Sequence, residues 1–481
     1  MEYEAIIGLE VHTQLLTETK IFCGCSTKFG AEPNSQTCPV CLGMPGVLPV
    51  LNKKVVEFAV LLGLATNCQI RRYNRFARKN YFYPDLPKGY QISQFEEPIC
   101  ENGYLEIESE QGKRRIGLIR IHMEEDAGKS VHDEAYVQSN ETLIDLNRCG
   151  VPLLEIVSAP DIRSPQEAHA YLTTLRQLVR YLGISDGNME EGSFRCDANI
   201  SVRPVGQQKF GTRTELKNMN SFAHVQKALE FEIKRQTELL KAGQQVEQET
   251  LLWDADKNIA LPMRGKEESH DYRYFPEPDL VPVKIDVEWF EKIKQSLPEL
   301  PRQKFERFVK DYQLPEYDAR LLTESRQMAD YFERAAGLFN DFKMISNWML
   351  GEISRVLNEQ KISIDRFPLK PEVLTDLLKA IKNKVVSTSA AKKVFDYLLE
   401  NEVSVEQAIE KLGLKQISDE SEIEQFVDQV IAQHPAEVQS FKDGKTKVVG
   451  FLVGQVMRLS RGKANPQLVN QLLQKKLNNQ T

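Results

Sequence analysis

Strand-like runs separated by Gly and Pro turns fill residues 1–290, and beyond about residue 295 nearly every strand signal gives way to helical periodicity. A chain laid out this way reads as α+β. The expectation is a sheet-based domain with flanking helices over 1–294, an all-α helical domain over 295–405 and a small helical basic tail domain over 406–481. The first boundary is expected near Ser296–Arg302, where Pro298 and Pro301 discourage a continuous helix. In the first part, Ser164-Pro165-Gln166-Glu167 has the pattern of a capping box. Ala168, Tyr171, Leu172, Leu175, Leu178, Val179 and Leu182 then recur at helical spacing before Gly183. Apolar-periodic segments with Lys/Glu faces over 320–405 predict a small bundle, with Ser387-Thr388-Ser389 as a loop or cap.

The longest apolar stretch, Val55 to Ala65, is interrupted by Glu57 and falls short of the ~18–20 residues that a membrane span needs. The opening MEYEAIIGLEVHTQL begins with acids and then alternates, so it reads as a strand and not as a targeting segment, and a cytoplasmic location is expected. A net charge of −7 over 481 residues makes no global case for nucleic-acid binding. Locally the case differs. Residues 442–481 set Lys442, Lys445, Lys447, Arg458, Arg461, Lys463, Lys475 and Lys476 against the single acid Asp443. Such a basic helical tail fits either a phosphate-backbone contact or the solvated surface of a docked helix pair.

Cys23-Gly-Cys25 and Cys38-Pro-Val-Cys41 are two paired thiols at knuckle spacing, and four thiolates can close a tetrahedral zinc shell. A redox dithiol at Cys38/Cys41 is the competing reading, disfavoured by the second pair nearby. Cys68, Cys100, Cys149 and Cys196 have no such spacing and read as buried fillers. A closed shell of four cysteines is structural and leaves no position open to substrate.

A second constellation is spread over four strand segments. Residues i and i+2 share a strand face, so Glu10 joins His12; His122 joins Glu124 and Asp126; Arg195 joins Asp197 and Asn199; Arg213 joins Glu215 and Lys217. Each set faces away from apolar neighbours such as Leu9, Val11, Ile121 and Met123. The bland account is a sheet with one wet face. Two histidines beside carboxylates argue for more, since clustered carboxylates suit a hard cation, Mg²⁺ with nucleotide phosphates, while a histidine ligand leaves Mn²⁺ open.

Arg71 to Tyr90 interleaves six basic residues with six aromatics, the mix that binds phosphates and stacks on bases; the competing reading is a loop with inward aromatics and solvated bases. Met263 to Tyr274 repeats the chemistry, with His270 in its middle. Gly187-Asn188-Met189-Glu190-Glu191-Gly192-Ser193 sets two glycines around a carboxylate pair that could approach a phosphate or metal, or form an ordinary turn. No GxxxxGK[ST], GxGxxG, HExxH or GxSxG motif supports the standard folds those mark.

Taken in order, GLEVHTQL, CGC with CPVC, GMPGVLPVLN, RKNYFYPDLPKGYQISQ, IRIHMEEDAGK, DLNRCGVPLLEIV, NMEEGSFRCDANISV, TELKNMNSF and MRGKEESHDYRYFPEPDL closely resemble the B subunits of glutamyl/aspartyl-tRNA amidotransferases. The resemblance covers nearly all of 1–280 and continues through the helical region to the basic tail. It implies a heterotrimer with a glutaminase A subunit and a small C subunit. ATP would phosphorylate the side-chain carboxylate of Glu-tRNA(Gln), and in many organisms also of Asp-tRNA(Asn), before ammonia gives the amide. The family motifs put metal ligation on Glu10, His12, Glu124 or Glu125, and Glu190, with Glu124 ranked ahead of Glu125 by strand alternation. Lys79, Tyr81 and Tyr83 would face phosphate or the terminal adenosine, and Arg195 or Lys217 would help neutralise charge. All four knuckle cysteines are present, so structural Zn²⁺ is expected. Lys445, Lys447, Arg458, Arg461 and Lys463 would hold the tRNA body. The alternative is a non-catalytic tRNA-binding scaffold protein.

Overall fold

The computed structural model describes residues 2–110, 112–131, 141–263, 272–417 and 419–479. They form two compact units, 1–300 and 301–481. Unit 1 carries sixteen strands among these residues: β1 (Tyr3–Gln14), β2 (Gln69–Ile70), β3 (Tyr73–Asn74), β4 (Ala77–Asn80), β5 (Tyr90–Ser93), β6 (Cys100–Ser109), β7 (Gly112–Glu125), β8 (Lys129–Val131), β9 (Leu143–Asp145), β10 (Pro152–Ser158), β11 (Phe194–Pro204), β12 (Thr214–Lys217), β13 (Thr250–Asp254), β14 (Ile259–Pro262), β15 (Phe275–Pro276) and β16 (Val283–Lys284). Its helices are α1 (Lys53–Ala65), α2 (Pro165–Tyr181), α3 (Phe222–Lys241) and α4 (Val287–Gln295).

Nine strands form one sheet in the order β14-β13-β12-β11-β1-β10-β7-β6-β2, antiparallel except for the β12–β13 pair. The long strands β1, β7, β10 and β11 alternate as the pleat requires. Leu9, Val11, Ile121, Met123, Leu154, Ile156, Cys196 and Ala198 are buried on one face, where α1, α2 and α3 cover them. Each fully buried Leu or Ile contributes roughly 1.5–3 kcal/mol. The other face is left to polar groups.

The apolar run Val55 to Ala65 is α1, a core helix buried on most of its sides and capped by the Asn52 side chain accepting from Lys54 N–H. It can lie close because position 63 is glycine: a Cβ there would meet Cys100 Sγ at 2.4 Å and Ile70 Cδ1 at 2.6 Å. In α2, Ser164 Oγ accepts the Glu167 N–H at 3.1 Å, but the Glu167 carboxylate takes the Arg163 N–H at 2.8 Å. The reciprocal half of the predicted capping box thus closes one residue early, and the same carboxylate is ion-paired with Arg114. A smaller sheet, β15-β4-β5, pairs the basic-aromatic run with the stretch after residue 271.

Unit 2 is all helical among the described residues, with one core built on Phe308, Phe332, Trp348 and Phe395 and another on Val427, Leu452, Val456 and Leu473. No helix of the described residues is long and apolar enough to cross a membrane.

Candidate active site and metal centre

Strand register assembles the centre of the wet face. In β1, His12 lies opposite Glu155 of β10 on one side and Arg195 of β11 on the other, and Glu155 in turn faces His122 of β7. Cross-strand partners share a face, so one row reads Arg195, His12, Glu155, His122, with Glu124 one pleat along β7. The side chains converge. His12 Nε2 lies 3.2 Å from Glu155 and 3.5 Å from Glu124, and His122 Nε2 lies 3.5 Å and 3.6 Å from the same two carboxylates. One donor atom each from His12, Glu124 and Glu155 falls within 4.8 Å of the others.

Burial disfavours the His12 imidazolium, but Glu155 and Glu124 outweigh it and lift its pKa to about 9. Burial likewise pushes Glu124 and Glu155 toward the protonated acid, and the imidazoles of His122 and His12 reverse this and hold both carboxylates below their usual range. The two acids are therefore kept charged side by side. Lys79 of β4 faces them across the site. Burial lowers its ammonium, Glu124 and Glu155 raise it, and the net direction is up. Its Nζ sits 4.7 Å from the Tyr272 ring centre and 5.8 Å from that of Tyr81. Two ionised carboxylates, with His12 once it gives up its proton to become a neutral imidazole, are a donor set for a hard divalent cation with positions to spare for phosphate oxygens. His122 turns its Nε2 to the same two carboxylates, and its Nδ1 is buried without a hydrogen-bond partner among the described residues.

The remaining predicted residues lie at graded distances from this centre. Glu10 is one row away, accepting from Asn199 Nδ2 at 2.9 Å; burial and the nearby Glu155, Glu215 and Asp197 raise its pKa. Arg195 is committed to a two-pronged contact with buried Asp126 at 2.9 and 3.1 Å. Lys217 pairs with Asp197 and Glu215 at 3.0 and 3.2 Å. Tyr81 is pushed up by burial and by Glu124, whereas Tyr83 is exposed. Glu190 is exposed on the turn before β11, its backbone N–H bound by Asn188 Oδ1.

Glu125 is not brought into the cluster. β7 continues regularly through Glu125, and the irregularity in its pairing with β10 falls at Val157/Ser158, so the side chain emerges on the opposite face. There it is ion-paired with Lys88 and accepts the Ile92 N–H at 2.8 Å. Glu155, which the strand patterns did not single out, takes its place. Of the second basic-aromatic run, 264–271 including His270 lie outside the described residues, while Tyr274 stacks on Phe95 with ring centres 4.1 Å apart.

The four knuckle cysteines converge as well. Cys23, Cys25, Cys38 and Cys41 each offer a sulfur within 4.8 Å of the other three, and none is in a disulfide. A tetrahedral zinc with ~2.3 Å bonds needs sulfurs about 3.8 Å apart, and Cys41 and Cys38 are 3.9 Å apart. The Cys23 thiol, the Cys38 N–H and Lys20 all favour charge on Cys41, whose pKa falls to about 4, while burial raises Cys25 to about 11. In unit 2, Lys445, Lys447, Arg458 and Arg461 are exposed and Lys463 is half-buried.

Comparison with known proteins decides the family. Residues 5–291 match the family model described as the GatB/GatE catalytic domain, and residues 330–477 match the one described as the GatB domain. The B subunit of the aspartyl/glutamyl-tRNA(Asn/Gln) amidotransferase of Thermodesulfovibrio yellowstonii is 57% identical over 98% of this chain and 99% of its own length. The proteins of the same name from Geotalea uraniireducens and Caldanaerobacter subterraneus are 58% and 56% identical over 99% of this chain and 100% of their own lengths. The chain belongs to the family of amidotransferase B subunits. Its region matched to the catalytic domain contains the whole His12–Glu124–Glu155 cluster, Lys79 and the cysteine quartet.

Proposed function

We propose that this chain is the ATP-dependent half of a tRNA-dependent amidotransferase. In this reading it phosphorylates the side-chain carboxylate of Glu-tRNA(Gln), and of Asp-tRNA(Asn), and passes the activated acyl group to ammonia. The names of the relatives support both tRNA substrates and, as B subunits, an assembly of several subunits; in this reading the partners are a glutaminase A subunit and a small C subunit, in a cytoplasmic heterotrimer. The observation that carries the catalytic reading is the pair of charged carboxylates, Glu124 buried and Glu155 half-buried, held with His12 and within the field of Lys79.

The reaction must bring two anions together, the substrate carboxylate and the γ-phosphate of ATP. Magnesium or manganese held by His12, Glu124 and Glu155, with Glu10 nearby, would supply the charge neutralisation that phosphoryl transfer needs. Lys79 of β4 adds a positive charge, its Nζ lying over the Tyr272 and Tyr81 rings, which do not compete as strong acceptors. The substrate carboxylate oxygen attacks the γ-phosphorus and ADP leaves. Ammonia then attacks the acyl carbon, and phosphate leaves carrying that oxygen. Arg195 holds Asp126 and so braces the strand next to His12. Tyr81 and exposed Tyr83 suit stacking on the terminal adenosine. Zinc on the cysteine quartet would be structural, with no open position, and Lys445, Lys447, Arg458, Arg461 and Lys463 form the contact to the tRNA body.

The test uses the complex of this chain with its two partners. His12→Ala or Glu124→Ala is expected to abolish ATP-dependent amidation of Glu-tRNA(Gln) while glutaminase activity persists. Near-normal amidation with unchanged tRNA binding would instead support the scaffold reading.

A further inference from the structure

Lys20 lies between β1 and the cysteine quartet and is fully buried, at 0% exposure. Its Nζ donates to the Gln36 carbonyl at 2.7 Å, the Leu146 carbonyl at 3.5 Å and Cys41 Sγ at 3.6 Å. An ammonium has three N–H donors and no acceptor, and here each donor has an acceptor. No carboxylate of the described residues lies within 4.0 Å of it, and Glu125, which lines the same cavity, is taken by Lys88. A buried ammonium needs an anion or a metal-bound ligand set to balance it. Among the described residues, the anion-forming group that Lys20 touches is a cysteine of the quartet.

We infer that Lys20 is the counter-charge of a tetrathiolate metal centre and ties that centre to the segment leading into β10. The inference rests on the zinc reading above. Four thiolates around Zn²⁺ carry a net charge of −2, and with neutral thiols Lys20 would be a buried cation without a counter-ion. Its other two hydrogen bonds join the two sides of the knuckle, Gln36 on the cysteine loop and Leu146 beyond β9. The same two stretches are laced together by Asn34 Nδ2 donating to the Ile144 carbonyl at 3.0 Å, Leu146 N–H to Asn34 Oδ1 at 2.8 Å, and Gln36 N–H to Asn147 Oδ1 at 2.7 Å. The Cys149 thiol adds a bond to the Cys41 carbonyl at 3.2 Å. Residues 144–149 lead into β10, the strand that carries Glu155.

The test reads zinc itself and not amidation. Zinc binding to the full chain is measured by competition with a chromophoric chelator for the native sequence and for Lys20→Met, which keeps the stem and removes the charge. Zinc affinity is expected to fall 10–100-fold in the variant, the usual cost of losing a partner just outside a metal's ligands. Affinity within twofold of native overturns the inference. Should Lys20→Met fail to fold, hydrogen exchange of the native chain before and after chelation decides. Protection is expected to drop in 144–149 as well as in 36–41 while the β13–β14 hairpin is unaffected, and unchanged protection in 144–149 overturns the inference. A native chain that takes up no zinc would overturn the zinc reading and this inference together, leaving the carboxylate cluster untouched.

Discussion

Glu155→Gln isolates the residue on which the site's electrostatics turn. Glu155 lies 3.2 Å from His12 Nε2, and at an effective dielectric constant of ~20 two unit charges at that separation attract by about 5 kcal/mol. Burial of the imidazolium takes part of this back. The net result is the rise of His12 from 6.5 to about 9, which at ~1.36 kcal/mol per pH unit corresponds to ~3.4 kcal/mol, shared by Glu155 and the more distant Glu124. An amide of the same shape removes the larger share. In the metal-free chain the His12 midpoint should therefore fall below about 8, read from the imidazole resonances of histidine-labelled protein and assigned with His12→Ala. Because the folded pKa is raised, the stabilisation is fully present below pH 6.5 and is lost as pH rises through about 9. Urea melts should accordingly show Glu155→Gln more destabilising at pH 6 than at pH 9.5. Amidation by the assembled complex should drop by about 10²–10³, the scale for losing one preorganised charge at a reacting centre. A His12 midpoint that stays near 9 in the variant would refute the pairing, and amidation within threefold of native would refute the assignment of Glu155 to the site.

Arg195→Met should cost about 2–4 kcal/mol in urea melts, less than the ~3–5 kcal/mol of a fully orphaned buried charge because Arg148 and Gln14 still reach Asp126; a loss under 1 kcal/mol would contradict it. In unit 2, burial pushes the Asp318 carboxyl up, but Lys343 and Ser346, both at 2.6 Å, bring it below its usual range. Asp318→Asn should cost about 1–3 kcal/mol at pH 7, and the difference should shrink as pH falls below about 4, where the native acid protonates too. Neutralising Lys445, Lys447, Arg458, Arg461 and Lys463 together should weaken tRNA binding and flatten its salt dependence by ~0.9 in log–log slope for each residue that meets a duplex phosphate; an unchanged slope would remove the tail from the interface.

Strand alternation made much of the site legible. It put Glu10 with His12, His122 with Glu124, and Arg195 with Asp197 and Asn199, and the nine-stranded sheet turns all of these to one side. The same rule separated Glu124 from Glu125, which regular pairing sends to Lys88. Glu155 escaped because it is one acid inside the apolar run Val151 to Val157, where buried neighbours on a central strand hide the period of two. Lys20 escaped for a similar reason, as a single charge before Ile21 and Phe22. Strand order was beyond reach: the pairing of β1 with both β10 and β11 joins residues 139 or more apart, and nothing local encodes which distant strand supplies an edge.

Phosphorylation of the tRNA-borne carboxylate at this site leaves a mark that oxygen tracing reads. Glu-tRNA(Gln) carrying ¹⁸O in its side-chain carboxylate is turned over by the complex with ATP, Mg²⁺ and ammonium, and the inorganic phosphate is examined by mass spectrometry. One ¹⁸O is expected in each phosphate released, in step with amide formation, and no transfer with Glu124→Ala. Amide formed with no ¹⁸O in the phosphate would contradict phosphorylation at this site.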